Sequence, residues 1–410
     1  MLSGSPDEIA EAVWLSERTV AYVNGSALWH FGIGDKDSGR GIHMFDFPEG
    51  IEPSALTYEP ESGTLVFSAA VWSDDGDLTK TAEHDKKWEE RGYTGTVFND
   101  LFVRHWDTWR IPGRVYTLAS TKITKKKKDA EDEFVAGREF TNLLKDTGLY
   151  SQMDAVDSSW FSVSPTHVAV ALKPPHLNVA THTRMEVYYL PLDAPGSRPV
   201  QLTPGNQGAI SAVTFSPDGK KLAWLEMAKD GYESDKRVVI VHTLNGDKMG
   251  TSERWTDNWD RSPSDLTWDH DSDSLYLLAE YNGRILPYHL AHAGRLPTPM
   301  HFKGSTQSIT MLDNSKSTFL LTINSLTSPN EVFVLDLLDA DANGDPDKHP
   351  REALHQISNF STSHIGGRLD NLYGEELWFK GVDGRKVMAW TIKPRGWCET
   401  DEPGTWPMGE

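Results

Sequence analysis

The chain is poor in features that cross-link a protein or anchor it in a membrane. Cys398 is its single cysteine, which excludes an intrachain disulfide and a zinc site built from several cysteines. No run approaches the roughly 18 apolar residues that a membrane-spanning helix needs. The first residues do not show the basic segment and apolar core of a secretory signal peptide.

Positive charge is also scarce. Lys and Arg number 40 against 60 for Asp and Glu, a formal charge of −20. Such a chain repels phosphate backbones and anionic lipids, so we predict neither nucleic acid nor a membrane as a partner. Acidic residues directly follow the run Lys125–Lys128, with no aromatic residue interleaved. We therefore interpret this run as part of a solvated loop.

One catalytic motif is absent from the sequence, and one metal-binding motif is incomplete. Serine hydrolases of the α/β type carry their nucleophile in Gly-x-Ser-x-Gly, which occurs nowhere in the sequence, so we predict no hydrolysis by this chain alone. Residues 339–347, DADANGDPD, resemble the first half of a calcium loop. Pro350 stands where that loop needs a bidentate Glu, so we expect an exposed acidic loop and predict no metal and no cofactor.

What the sequence does contain is a repeat. Residues 215–225, FSPDGKKLAWL, combine a polar turn with an alternating strand, and five weaker copies occur elsewhere. The equivalent positions are Val20, Leu65, Val168, Leu222, Leu275 and Phe319. Paired strands recurring at such intervals are typical of propeller blades. The sequence predicts an all-β fold, a β-propeller of about six to seven four-stranded blades.

One interval, from Leu65 to Val168, is about twice as long as the others. Within it, Val97, Phe98, Leu101 and Phe102 recur at the spacing of one helical face after the start signal Thr94-Gly95-Thr96. We predict a short helical insert at about 80–110.

Two tracts rich in Trp, Arg and Asp are candidate sites. In residues 102–109, FVRHWDTW, the rings either anchor the insert on a blade or face a substrate. The same alternatives apply to residues 253–263, ERWTDNWDRSP. The candidate substrate-gating residues are Arg104, His105, Trp106, Asp107, Trp109, Asp257, Trp259 and Asp260.

Several stretches resemble the prolyl oligopeptidase family of serine peptidases, and in particular its fungal dipeptidyl peptidase members. They are LFVRHWDTW (101–109), the segments 215–241 and 254–263, ISNFSTSHI (357–365) and GEELWFKGVDGRKVMAWTIKP (374–394). The resemblance implies a secreted enzyme that removes N-terminal dipeptides from peptide substrates through a Ser-Asp-His triad, with a propeller covering the catalytic domain. Family members carry that triad beyond the position matching residue 410, so no catalytic residue is assigned here.

The resemblance also implies a domain organisation. Residues 1–372 are predicted to form the propeller, with an incomplete first blade, and residues 373–410 the first strands of a truncated α/β-hydrolase domain. The chain is then a fragment that covers the non-catalytic, substrate-gating part. Secretion would make the sequons at Asn24 and Asn359 glycosylation candidates. A free-standing propeller that binds other proteins is the alternative.

Overall fold

The structure, a computed structural model, describes residues 9–34, 41–99, 101–128, 131–152, 154–245, 248–300, 304–312, 317–337, 352–360 and 372–394. The chain divides into two compact units, Met1–Arg254 and Trp255–Glu410. In the described residues, no helix combines the length and the apolar character needed to cross a membrane.

The described part of the first unit contains four blade sheets, in which the strands follow one another in space largely as they do in the sequence, and one two-stranded hairpin. Blade 1 consists of β1 (Ile9–Ser16), β2 (Thr19–Asn24), β3 (Ala27–Gly32) and β4 (Ile42–Asp46). Blade 2 begins with β5 (Ser54–Glu59) and β6 (Thr64–Trp72), which are followed by helix α1 (Thr81–Glu89) and a small hairpin of β7 (Arg104–His105) and β8 (Thr108–Trp109). It ends with β9 (Arg114–Lys128), β10 (Glu131–Ala136) and the short β11 (Thr141–Asn142).

Blades 3 and 4 complete this unit. Blade 3 consists of β12 (Phe161–Val163), β13 (His167–Leu172), β14 (Glu186–Pro191) and β15 (Val200–Gln201). Blade 4 consists of β16 (Ile210–Phe215), β17 (Lys221–Met227), β18 (Arg237–Asn245) and β19 (Lys248–Arg254).

The second unit contains two further sheets and a hairpin. Blade 5 consists of β20 (Pro263–Trp268), β21 (Leu275–Tyr281), β22 (Arg284–Leu290) and β23 (Thr298–Pro299). Blade 6 consists of β24 (Ser305–Met311), β25 (Thr318–Ser325), β26 (Ser328–Leu337) and β27 (Glu352–Gln356). The hairpin consists of β28 (Leu372–Lys380) and β29 (Lys386–Pro394).

The six sheets confirm the predicted β-propeller fold. All six positions taken as equivalent in the sequence lie in the second strand of a blade, as Leu222 does in β17. The doubled interval holds an insertion rather than a further blade. Blade 1, predicted to be incomplete, has four strands. The hairpin matches the strand pair predicted near the end of the sequence, and its assignment to a hydrolase domain stays a prediction.

The repeat signal reflects turn chemistry between the first two strands of a blade. In blade 4, Ser216 Oγ accepts the N–H of Lys221 at 2.9 Å and donates to Asp218 at 2.7 Å, while Gly219 takes a positive φ of 67°. Ser164 plays the same part in blade 3 by accepting the N–H of His167. A short polar side chain followed by a residue that tolerates positive φ fixes such a turn, so the motif recurs with the blades.

Several central strands of the first unit are buried on both faces. In β6, the segment from Thr64 to Val71 is buried throughout, and in β17 every residue after Lys221 is buried. One apolar cluster joins β13 and β14 of blade 3 to β17 and β18 of blade 4 and includes the fully buried Trp224. Neighbouring blades therefore share their cores, which explains the nearly continuous apolar runs in these strands.

The helix of the insert forms within the predicted range of about 80–110, but not from the predicted apolar stripe. It occupies Thr81–Glu89, whereas the described residues of 94–103 contain no helix. Two contacts hold the helix on blade 2, because the Asp85 carboxylate accepts the indole N–H of Trp72 at 2.9 Å and a guanidinium N–H of Arg114 at 2.7 Å. Val97 and Leu101 are exposed instead, and Phe98 and Phe102 are only half-buried, so the stripe gains too little burial to offset the cost of its glycine and β-branched residues.

The lysine run is also placed differently from the prediction. It lies in β9, which extends as a ribbon with β10 and sets Lys126 opposite Glu133. The acidic residues that suggested a loop are the strand partner of the lysines, since opposite charges facing each other stabilise a strand pair. The calcium-like segment 339–347 lies outside the described residues.

We expect the first unit to lose stability in mild acid. His242 in β18 is 2% exposed, and burial lowers its pKa from the ordinary 6.5. As the pH falls, the unfolded chain is protonated at His242 before the folded chain is. The contribution of neutral His242 to stability is therefore complete above about pH 6.5 and is lost at lower pH. Such a group contributes at most about 1.4 kcal/mol per pH unit.

Urea unfolding between pH 7.5 and 5 checks this prediction. His242→Gln should flatten the acid side of the stability curve, while His292→Gln, at an exposed ring, should leave it unchanged. An unaltered slope in His242→Gln would contradict the prediction.

Candidate functional site

A groove of about 350 Å³ opens in the first unit between the insert and the connections of blades 3 and 4. Its walls come from the hairpin β7–β8, from residues 150–154, from the β13–β14 connection and from the β17–β18 connection. The lining residues are Phe102, His105, Tyr150, Ser151, Gln152, Asp154, Trp160, Leu172, Lys173, Pro174, Pro175, Leu177, Val179, Ala180, Met185 and Glu233.

The groove combines apolar walls with a few charged groups. Phe102 and Trp160 supply aromatic surface, and Pro174-Pro175 start the β13–β14 connection with two fixed φ angles. Asp154 and Glu233 supply carboxylates. Mostly apolar walls with a small number of placed polar groups are the usual composition of a site that binds small molecules or peptides.

His105 and Asp154 form the polar pair nearest the insert. The His105 Nδ1 lies 3.2 Å from the Asp154 Oδ1, and each side chain is about half exposed. This contact connects hairpin β7–β8 to the segment that leads into blade 3. Both groups are open to solvent and can therefore exchange this bond for one to a ligand.

Lys173 lies on the opposite wall, at the end of β13. Its ammonium group donates to the carbonyl oxygen of His182 at 2.9 Å. Burial lowers the pKa of Lys173, and the carboxylates of Asp230, Asp154 and Glu233 act in the opposite direction. The amine thus cross-links the two ends of the β13–β14 connection.

Asp230 fixes the same connection from blade 4. Its carboxylate accepts the backbone N–H groups of Thr183 at 2.8 Å and Arg184 at 3.0 Å, together with the ring of His182. Burial opposes ionisation, but these hydrogen bonds prevail and lower the pKa of Asp230 to about 2. The Asp230 carboxylate of blade 4 therefore positions the β13–β14 connection, which forms one wall of the groove.

The predicted candidates at 104–109 form the tip of hairpin β7–β8. Trp106 and Trp109 are 85% and 62% exposed, so they do not anchor the insert on a blade as one interpretation expected. The guanidinium group of Arg104 lies 5.6 Å from the ring centre of Trp109, and Asp107 is exposed beside them. Of this tract, Phe102 and His105 reach the groove, and the tryptophans present aromatic surface to solvent.

The second candidate tract belongs to the other unit. Trp259 is 6% exposed and packs edge-to-face on Tyr288 with ring centres 5.0 Å apart, so it is a core residue of that unit. Asp257 and Asp260 are exposed. Of the predicted sequons, Asn24 ends β2 half-buried, and Asn359 is exposed after β27.

Sequence reasoning missed Lys173, Asp230 and Glu233. Only the dipeptide Pro174-Pro175 gave a local signal, because consecutive prolines restrict a connection to few conformations. The other groups are charged residues in polar loops, and only the fold brings them together.

Among the described residues, Asp74, Asp75 and His84 offer three possible metal-ligand atoms within 4.8 Å of one another. The ammonium group of Lys80 lies 3.4 Å from an oxygen of Asp75, and His84 lies within 3.6 Å of both acids. These contacts account for the cluster as ion pairs beside the start of α1.

Comparisons with known proteins agree with this architecture. No protein-family model matches the chain. Dipeptidyl-peptidase 5 of Schizosaccharomyces pombe is 29% identical over 302 residues, which are 73% of this chain and 40% of that protein. Dipeptidyl-peptidase 5 of Arthroderma otae is 27% identical over 417 residues, which cover 95% of this chain and 53% of that protein. The chain thus spans about half the length of the relatives that it matches.

Solved structures show the same fold at low sequence identity. The acylaminoacyl peptidase of Pyrococcus horikoshii superposes with a TM-score of 0.60 at 12% identity, covering 95% of this chain and 50% of that one. A puromycin-hydrolyzing peptidase of Mycobacterium tuberculosis gives 0.51 at 11% identity, with coverage of 93% and 49%. The chain is therefore similar in sequence to the dipeptidyl-peptidase 5 proteins and shares its β-propeller fold with these two peptidase structures.

Proposed function

We propose that the chain is the substrate-selecting propeller of a secreted serine dipeptidyl peptidase and that the groove of the first unit receives peptides. The relatives named dipeptidyl-peptidase 5 support the reaction class. The observation that carries the proposal is the groove itself, whose lining combines apolar walls with the carboxylates of Asp154 and Glu233.

The chemistry of the groove favours the N-terminal end of a peptide. The free α-ammonium group of a peptide is attracted to the carboxylates of Asp154 and Glu233. The side chains of the peptide can pack against the aromatic and proline surface of the groove. The overall charge of −20 adds a long-range attraction for cationic groups. Trp106 and Trp109 offer further apolar contacts beyond the groove.

Secretion is part of this proposal, and with it the glycans on the sequons. Asn359 is exposed, whereas Asn24 is half-buried at the end of a strand. A chain expressed in a fungal secretory pathway should therefore carry its glycan mainly on Asn359.

We expect the 410-residue chain alone to show no peptidase activity. It contains no Gly-x-Ser-x-Gly in which a nucleophile could be presented. Chromogenic dipeptidyl substrates should turn over at the rate of a protein-free blank. Turnover that a serine-directed organophosphate abolishes would contradict this part of the proposal.

Peptide binding tests the groove directly. A fluorescent peptide with a free N-terminus should bind more tightly than its N-acetylated form. The double variant Asp154→Asn/Glu233→Gln should remove most of that difference in affinity. Each lost charge should weaken binding of the free peptide about five-fold, because an exposed ion pair contributes up to ~1 kcal/mol. Phe102→Ala should weaken both peptides alike.

Glu61→Gln, at an exposed acid in the β5–β6 turn, is the matched control and should change neither affinity. Equal affinities for the free and the acetylated peptide in the parent chain would reject recognition of the ammonium group. They would favour the alternative function, a scaffold that binds other proteins.

The β13–β14 connection should open locally more often when the hydrogen bonds to the Asp230 carboxylate are removed. Asp230→Ala deletes the acceptor of two backbone N–H groups, and each bond contributes about 1 kcal/mol, or roughly five-fold in local opening. Hydrogen exchange across residues 173–185 should accelerate accordingly. Asp235→Ala, in the same blade 4 connection, should leave this exchange unchanged, and equal exchange in both variants would contradict the role of Asp230.

A further inference from the structure

The hairpin β28–β29 is a regular ribbon in the second unit. Its register runs without interruption from Leu372 opposite Pro394 to Lys380 opposite Lys386. It approaches two turns of that unit, the β21–β22 turn at Gly283 and the β25–β26 turn at Leu326. A Cβ atom added at Gly374 would lie 2.8 Å from a methyl carbon of Leu326.

Hydrophobic burial contributes little to this docking. On the face that carries Glu376 and Trp390, Trp378 of β28 and Ile392 of β29 remain 38% and 52% exposed. A cavity of about 380 Å³ is lined by the hairpin, by the turns of blades 5 and 6, and by Gly304 and Asn324 beside them. An interface of this kind lacks the close apolar packing that normally fixes one element on another.

Arg284, the first residue of β22, makes the specific contacts instead. Its guanidinium group lies 2.5 Å from the Glu376 carboxylate on β28 and 4.8 Å from the ring centre of Trp390 on β29. Glu376 and Trp390 face each other in the strand register. A single side chain therefore contacts both strands of the hairpin at one cross-strand pair.

The turn beside Arg284 is shaped for this approach. The indole N–H of Trp390 donates to the carbonyl oxygen of Gly283 at 3.3 Å. A Cβ atom at Gly283 would lie 2.7 Å from that nitrogen, and Gly283 has a positive φ of 72°. Glycine at this position permits both the conformation of the turn and the close contact.

We propose that Arg284 is a latch that holds the hairpin on the turns of blades 5 and 6, and that the hairpin swings away from them when this contact is broken. The latch is a partly exposed ion pair with a cation–π contact rather than a core. The docked position is therefore sensitive to ionic strength, unlike the packing within the blades. This inference does not depend on peptide binding in the first unit.

Distance measurements between spin labels test the latch in the full chain. In a Cys398→Ser background, labels at Val382→Cys, on the exposed hairpin turn, and His292→Cys, on blade 5, should give one narrow distance distribution. Arg284→Met should raise the population at other distances about five-fold, as loss of ~1 kcal/mol predicts. An increase from about 0.05 M to about 1 M NaCl should act in the same direction in the parent.

Glu376→Gln and Glu375→Gln form a matched pair for this experiment. The first removes the partner of Arg284, whereas the second removes an ion pair with Lys393 inside the hairpin, 2.8 Å long. Only the first should release the hairpin, with circular dichroism confirming that both variants fold. An unchanged distance distribution in Arg284→Met, or equal effects of the two glutamate variants, would overturn the proposal.

Discussion

Each blade of this protein has two apolar faces, and only a neighbouring blade can cover them. This constraint explains why strands such as β6 and β17 are buried along almost their whole length and why the apolar clusters span pairs of blades. No blade could be stable by itself, because an isolated sheet leaves both of its apolar faces in water. The packing of one blade on the next therefore stabilises the fold, and the ends of the strands do not belong to the core.

The groove is built from those ends. Its walls are connections between strands, which the packing of the blades does not determine, so their positions depend on individual polar contacts. Asp230 from blade 4 and Lys173 from blade 3 place one wall, and the His105–Asp154 pair places the other. A rigid frame with loops positioned by a few hydrogen bonds is the usual arrangement for a binding surface, because the loops can differ without disturbing the core.

The frame could be predicted from the sequence because it is periodic. Leu65 and Leu222 recur at equivalent positions because each lies in the buried second strand of its blade, directly after a polar turn. The insert was less predictable, because the stripe has helical spacing but leaves Val97 and Leu101 exposed, and the helix forms instead where Asp85 can bind Trp72 and Arg114. Asp230 could not be recognised at all, since its partners lie nearly 50 residues away in the sequence.

The tip of hairpin β7–β8 has a strained backbone at Trp106. Trp106 is the first residue of a two-residue turn and has a φ of 49°, a conformation that glycine adopts freely and that other residues adopt at about 1–2 kcal/mol. The indole is nevertheless almost fully hydrated, so no burial offsets this strain. A ring kept in water on a strained backbone gains nothing for the folded state by itself, and under the proposed function a contact with the peptide would offset this cost.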